Sequence, residues 1–186
     1  MDKFNKNNAG MSLVELIVTI AIASILVGTM SFSVSLAFSK DAARCATILN
    51  DTLYSVRMDS MSKPGEYTVE IKDNNAGGTS SQYVAIITCK TEKTDGTLDT
   101  QEETIYLEGD ASDNKVKEIT ATLNNVPLSG NIAITFDKSK GYVKVGAGTS
   151  FSTDGIVEFH IIPVRGNKDA YVSLVTSTGK HTIGTY

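Results

Sequence analysis

The chain is poor in the residues that usually announce chemistry. It holds only two histidines and two cysteines in 186 residues, and neither pair stands at the short spacing of a zinc site. His160 falls in an alternating, strand-like run and His181 beside a turn, so both read as sheet or surface side chains. Positive charge is not in excess either: 17 Lys and Arg against 21 Asp and Glu leave a net charge of -4. No basic patch marks a nucleic-acid surface. Gly146-Ala147-Gly148 lacks the later glycine or lysine of a phosphate-cradling loop and reads as a turn. No constellation amounts to a catalytic site, so neither an enzyme nor a cofactor is expected. Proline is scarce as well, and with no proline or glycine cluster before Lys63-Pro64-Gly65 nothing stops a helix that starts at Met11.

Charge is missing where it matters most. Between Leu16 and Phe38 there is no charged residue over 23 positions, enough at about 1.5 Å per residue to cross a hydrocarbon layer of about 30 Å. The segment reads as membrane-spanning. Its twelve Leu, Ile, Val and Phe residues favour insertion by about 4 to 7 kcal/mol, against about 2.5 to 3.5 kcal/mol for an acidic residue at the centre of such a helix. Insertion wins, and Glu15, at the mouth of the run, goes with it. Lys3 and Lys6 outweigh Asp2 ahead of the run, so the start is expected in the cytoplasm and the following bulk outside it.

The order of these residues carries a family likeness. A short basic leader ends in Gly10, Met11 follows, the run opens Ser12-Leu13-Val14, and Glu15 is the fifth residue after the glycine. This resembles the class III signal of type IV pilins and pseudopilins. The resemblance implies cleavage by a prepilin peptidase between Gly10 and Met11, N-methylation of Met11, and an apolar segment kept on the mature protein. It also implies partners: other pilin subunits in a homo- or hetero-filament, and an assembly platform with its ATPase. The expected place is the cell membrane, single-pass with the N-terminus cytoplasmic, then an extracellular or periplasmic filament.

The charge logic stands without the likeness. After cleavage the Met11 amine and the Glu15 carboxylate lie one helical turn apart on one face. Inside a low-dielectric bundle either charge alone would cost several kcal/mol, so the carboxylate of one subunit is expected to pair with the amine of its neighbour and set their register. Two plainer readings compete. An ordinary secretory signal cut near Ser35-Leu36-Ala37 has a shorter apolar core, and a simple single-span anchor fits the length. Both leave Glu15 without a purpose.

Past Lys40 the pattern turns amphipathic. Ala42, Cys45, Ala46, Leu49, Leu53 and Val56 recur at steps of three and four, while Asp41, Arg44, Asn50, Asp51, Arg57 and Asp59 are polar. That half is expected to lay one face on a sheet. After Pro64-Gly65 the period becomes alternating, with strands expected at 67–72, 83–89, 104–108, 117–123, 132–136, 156–162, 170–176 and 180–183. Turn chemistry separates them, as at Asp95-Gly96, Ser129-Gly130, Lys140-Gly141 and Thr178-Gly179. The fold class is α+β: a long N-terminal helix, membrane-spanning in one half and amphipathic in the other, packed on an antiparallel β-sheet head. The divisions are 1–10 leader, 11–63 helix with its membrane span at about 16–38, and 64–186 extracytoplasmic head. The end of the head, from Gly155-Ile156-Val157 to Thr178-Gly179-Lys180, is similar to H-type minor pseudopilins.

Three further features keep a bland reading beside a functional one. Cys45 on the helical stripe and Cys89 at a strand end are either a disulfide or two packed thiols. Asp95, Asp99, Glu102 and Glu103 match no calcium-loop pattern and read as solvated. Asn50-Asp51-Thr52 has the form of a glycosylation triplet but sits on a helix. The expected function is a structural subunit of a type IV pilus-like filament: a major pilin, a minor pilin for adhesion or DNA uptake, or a type II secretion pseudopilin. The reading from another class is a membrane-tethered extracytoplasmic binding protein.

Overall fold

The apolar run and the amphipathic stretch after it are both helical in the computed structural model, which describes residues 12–38, 40–75, 81–110, 114–146, 149–166 and 168–185. The first helix, α1, is Leu13–Phe38 and the second, α2, is Asp41–Ser62. Of the helix expected over 11–63, these two stretches are the described part; Met11 and Ser39 lie outside the described residues. They fall in two compact units, Met1–Ala37 and Phe38–Tyr186.

In the first unit, α1 is built from residues that keep its backbone closed. The Leu16 N–H bonds the Ser12 carbonyl at 3.0 Å, and the hydroxyls of Thr19 and Ser24 fold back onto the carbonyls of Leu16 and Ile20. Such bonds satisfy a polar side chain without a partner outside the helix.

In the second unit, the stripe on α2 is the organising face. Ala42, Cys45, Ala46, Leu49, Leu53 and Val56 are all buried, joined by Thr52 and Ser60. Leu49, Leu53 and Val56 each contribute about 1.5 to 3 kcal/mol by burial. The helix stops where Lys63 turns extended and its N–H bonds the Asp59 carbonyl, just ahead of Pro64. Gly65 then takes φ +111, and a Cβ there would meet Thr91, Cys89 and the Lys90 carbonyl. Glycine lets the chain reverse tightly into the first strand.

Among the described residues nine strands follow: β1 (Glu66–Asp73), β2 (Tyr83–Glu92), β3 (Leu98–Tyr106), β4 (Val116–Leu123), β5 (Val126–Leu128), β6 (Ile132–Thr135), β7 (Ile156–Pro163), β8 (Ala170–Val175) and β9 (Lys180–Thr185). Every pairing is antiparallel. They form two sheets rather than the single one expected, ordered β3-β2-β1-β6 and β5-β4-β7-β8-β9. Alternation fixes which face a residue takes but not which strand lies beside it, so the split was not readable from the pattern. The apolar face of α2 packs on β1 of one sheet and on β7, β8 and β9 of the other. Phe136, Phe151 and Phe159 fill the shared core with Leu49, Leu53 and Leu174.

Candidate functional site

The described part of α1 is apolar on every side. Leu13, Val14, Leu16, Ile17, Val18, Ile20, Ile22, Ile25, Leu26 and Val27 are all exposed, from 48% for Val18 to 74% for Leu13. At 100° per residue those positions circle the helix, leaving no polar face to turn toward water. Glu15 is exposed in the first turn, where the helix dipole favours a negative charge. Among the described residues no ion pair includes it. Gly10 and Met11 lie outside the described residues, as do the side chains of 29–39. Among the described residues no helix is long and apolar enough to cross a membrane; the side chains described in α1 end at Gly28.

The two thiols are free. Cys45 is buried under α2, where burial, with the Glu108 carboxylate adding to it, pushes its pKa far above the ordinary thiol range. Cys89 is half-buried opposite Tyr67 and 3.6 Å from the Thr91 hydroxyl. The hydrogen bond with Cys89, then burial, pushes the Tyr67 phenol up to about 12.

Other residues singled out by the sequence hold local structure. Asp95 accepts the backbone N–H and hydroxyl of Thr97 and so caps its own turn, Asp99 pairs with Lys93 at 3.3 Å, and Glu102 and Glu103 alternate along β3. Among the described residues no group of three or more His, Cys, Asp or Glu is placed to hold a metal ion. Gly146 turns back to bond Phe151, while Ala147 and Gly148 lie outside the described residues. In the Asn50-Asp51-Thr52 triplet, Thr52 is buried and donates to the Ile48 carbonyl, and Asn50 Oδ1 is itself enclosed. His160 sits 3.6 Å from Glu158 on β7. His181 packs edge-on to Tyr54 of α2.

Two residues gained roles that their pattern did not show. Glu108, expected to end a strand, is 2% exposed. Its carboxylate accepts backbone N–H groups from Tyr83 at 3.4 Å, Lys115 at 2.6 Å and Val116 at 3.3 Å, tying the start of β2 in one sheet to the start of β4 in the other. Arg57, expected on the polar face of the helix, donates to the carbonyls of Gly141 at 2.8 Å and Thr178 at 2.9 Å. A buried acid accepting several N–H groups has no periodic signature, and only its tertiary neighbours reveal it.

The prokaryotic N-terminal methylation motif, the signature of type IV pilins and pseudopilins, matches residues 5–31 of this chain. No curated protein and no solved structure matches it. The motif supports a prepilin-processed, type IV pilin-like precursor.

Proposed function

We propose that the protein is a structural subunit of a type IV pilus-like filament and not an enzyme. Prepilin peptidase cuts between Gly10 and Met11 and methylates the new Met11 amine. The run Leu16 to Phe38 holds the processed subunit in the cell membrane until the assembly platform and its ATPase move it into the filament core. The observation that carries this reading is the all-round apolar surface of α1 with Glu15 as its one acid, placed within the matched motif. Glu15 pairs there with the Met11 amine of a neighbouring subunit, because an unpaired carboxylate in a low-dielectric bundle is costly.

Mass spectrometry of the mature amino terminus, in cells with and without prepilin peptidase, tests the processing. An N-methylated Met11 that depends on the peptidase is the expected result. An intact Met1 in both strains would leave a membrane-tethered binding protein instead, and a start beyond Phe38 a conventional secreted domain. Glu15→Ala tests the pairing: insertion and cleavage persist while filament yield drops, and a normal yield would overturn it.

A further inference from the structure

In the head, a cleft of about 560 Å³ opens between the two sheets, walled by the ends of β1 and β4 and by the crossover from β5 to β6. The ladders at its two walls stop short. The Asn124 N–H bonds the Ile156 carbonyl at 2.9 Å, and Leu123 faces Val126 across the two-residue turn. In an antiparallel ladder successive residues aim their backbone groups to opposite sides, so Thr122, Thr120 and Glu118 face β7 while Leu123, Ala121 and Ile119 face away from it. β5 pairs Leu123 and Ala121 but ends at Leu128. The N–H and C=O of Ile119 therefore turn into the cleft, and among the described residues no strand or loop backbone bonds them.

The opposite wall repeats the feature. The Asn74 N–H bonds the Gln82 carbonyl at 2.8 Å, so Ile71 and Asp73 aim their backbone groups toward β6. That strand begins at Ile132, opposite Ile71, and among the described residues Asp73 has no strand partner on this side. Half-buried Ile119, Leu128 and Tyr83 leave apolar surface between the walls. Lys72 lies on the β1 wall and Glu118 on the β4 wall. A strand residue takes up about 160 Å³ at a rise of about 3.3 Å, a strand spacing of about 4.8 Å and a sheet spacing of about 10 Å. The cleft thus holds about three residues of extended chain.

We propose that the cleft is a strand-addition site for an extended segment of a partner protein, which pairs its backbone with Ile119 at the open end of β4. Backbone pairing at a free edge supplies affinity and the side-chain contacts supply selectivity. An apolar residue of the segment covers Ile119, Leu128 and Tyr83, flanked by a basic residue toward Glu118 and an acidic one toward Lys72. A compact apolar ligand would leave the two backbone groups of Ile119 unmatched.

The test uses the full chain in detergent micelles and an array of capped heptapeptides alternating Val or Ile with Thr. Lys and Glu are placed at either end in both orders, and the central residue is varied over all types. The expected result is saturable binding below about 1 mM, with slowed amide exchange confined to 116–120 and 72–73. N-methylation of the central peptide nitrogens should weaken it roughly tenfold, the equivalent of one backbone hydrogen bond. Ile119→Pro removes the cleft-facing N–H while sparing the β4–β7 ladder, as proline does at a strand edge, and should abolish binding. The exchange measurement on the unaltered chain stands even if that variant misfolds. No binding anywhere in the array, indifference to N-methylation, or protection at another surface would overturn the proposal. Self-association through 116–120 without peptide would replace the partner segment by a second copy.

Discussion

Removing the Glu108 carboxylate tests the structural claim that one buried acid joins the two sheets. The side chain is 2% exposed and accepts three backbone N–H groups, one of them short at 2.6 Å and two at 3.3 and 3.4 Å. Hydrogen bonds to a charged group are worth about 1.5 to 3 kcal/mol, and a buried N–H left bare costs about 1 to 3 kcal/mol. The two long bonds count for less, so Glu108→Ala should destabilise the head by about 3 kcal/mol. For a unit this size, about 2 to 4 °C per kcal/mol makes that a fall of about 9 °C in Tm. Glu108→Gln keeps one acceptor oxygen but turns an amide against the N–H cluster, and should fall by about half as much. Thermal unfolding of the full chain in detergent, followed by near-ultraviolet circular dichroism, reads both. A Glu108→Ala chain within about 1 °C of the parent would refute the tie.

Three other outcomes follow from the same geometry. Alkylation of the native protein, read by mass spectrometry, should label half-buried Cys89 well before buried Cys45, and equal rates or a mass lower by two hydrogens would contradict two free thiols in these sites. Gly179→Ala adds a Cβ against the Gly141 carbonyl and the Arg57 guanidinium at a residue with φ +64, so it should cost about 2 kcal/mol or more, and an unchanged Tm would show that the Arg57 corner yields. His181 is held below its ordinary pKa, burial being the main cause, so on acidification the unfolded chain takes up its proton first. That contribution to stability is intact above about pH 6.5 and declines as pH falls toward the lower folded value; His181→Gln should flatten the slope of Tm between pH 7 and 5, and an unaltered slope would assign it to other groups.

The elements that were readable from residues are those whose surroundings are one-sided. The α2 stripe is buried at each of its six predicted positions, because a helix on a core must turn the same face inward for its whole length. In β7 and β8 the buried residues alternate cleanly, Val157, Phe159 and Ile161 in one and Ala170, Val172 and Leu174 in the other. β3 was expected to start at Thr104 but starts at Leu98. Its residues from Leu98 to Thr104 are mostly exposed, and an edge strand of this kind, carrying Asp99, Glu102 and Glu103, shows no alternation. β5 was not foreseen, being three residues with Pro127 at its centre. Its signal was the pair Asn124-Asn125, whose positive φ values of 51 and 67 make the two-residue turn, since asparagine tolerates the left-handed region. The processing residues Gly10 and Met11 lie outside the described residues, while Glu15, expected to pair charges in assembly, stands in the first turn of α1.

On the proposed assembly, the chemistry of α1 also says why one acid matters more than its many apolar neighbours. Lipid tails are as apolar as leucine side chains, so moving an all-round apolar helix from a bilayer into a bundle of its copies gains little from the hydrophobic effect itself. Packing contributes, yet a smooth apolar cylinder packs nearly as well one turn out of step. Glu15 breaks that degeneracy. A mispaired subunit leaves a carboxylate facing apolar surroundings, with a penalty of several kcal/mol, which at about 1.4 kcal/mol per tenfold disfavours each wrong register by a hundredfold or more. Glu15→Gln therefore separates two possibilities that Glu15→Ala cannot: it keeps the size and a hydrogen-bonding end but removes the charge. If register depends on the ion pair, filaments of that variant should be few and short. If a polar contact of any kind suffices, their length should be close to normal, and the charge argument would fail while the filament reading stood.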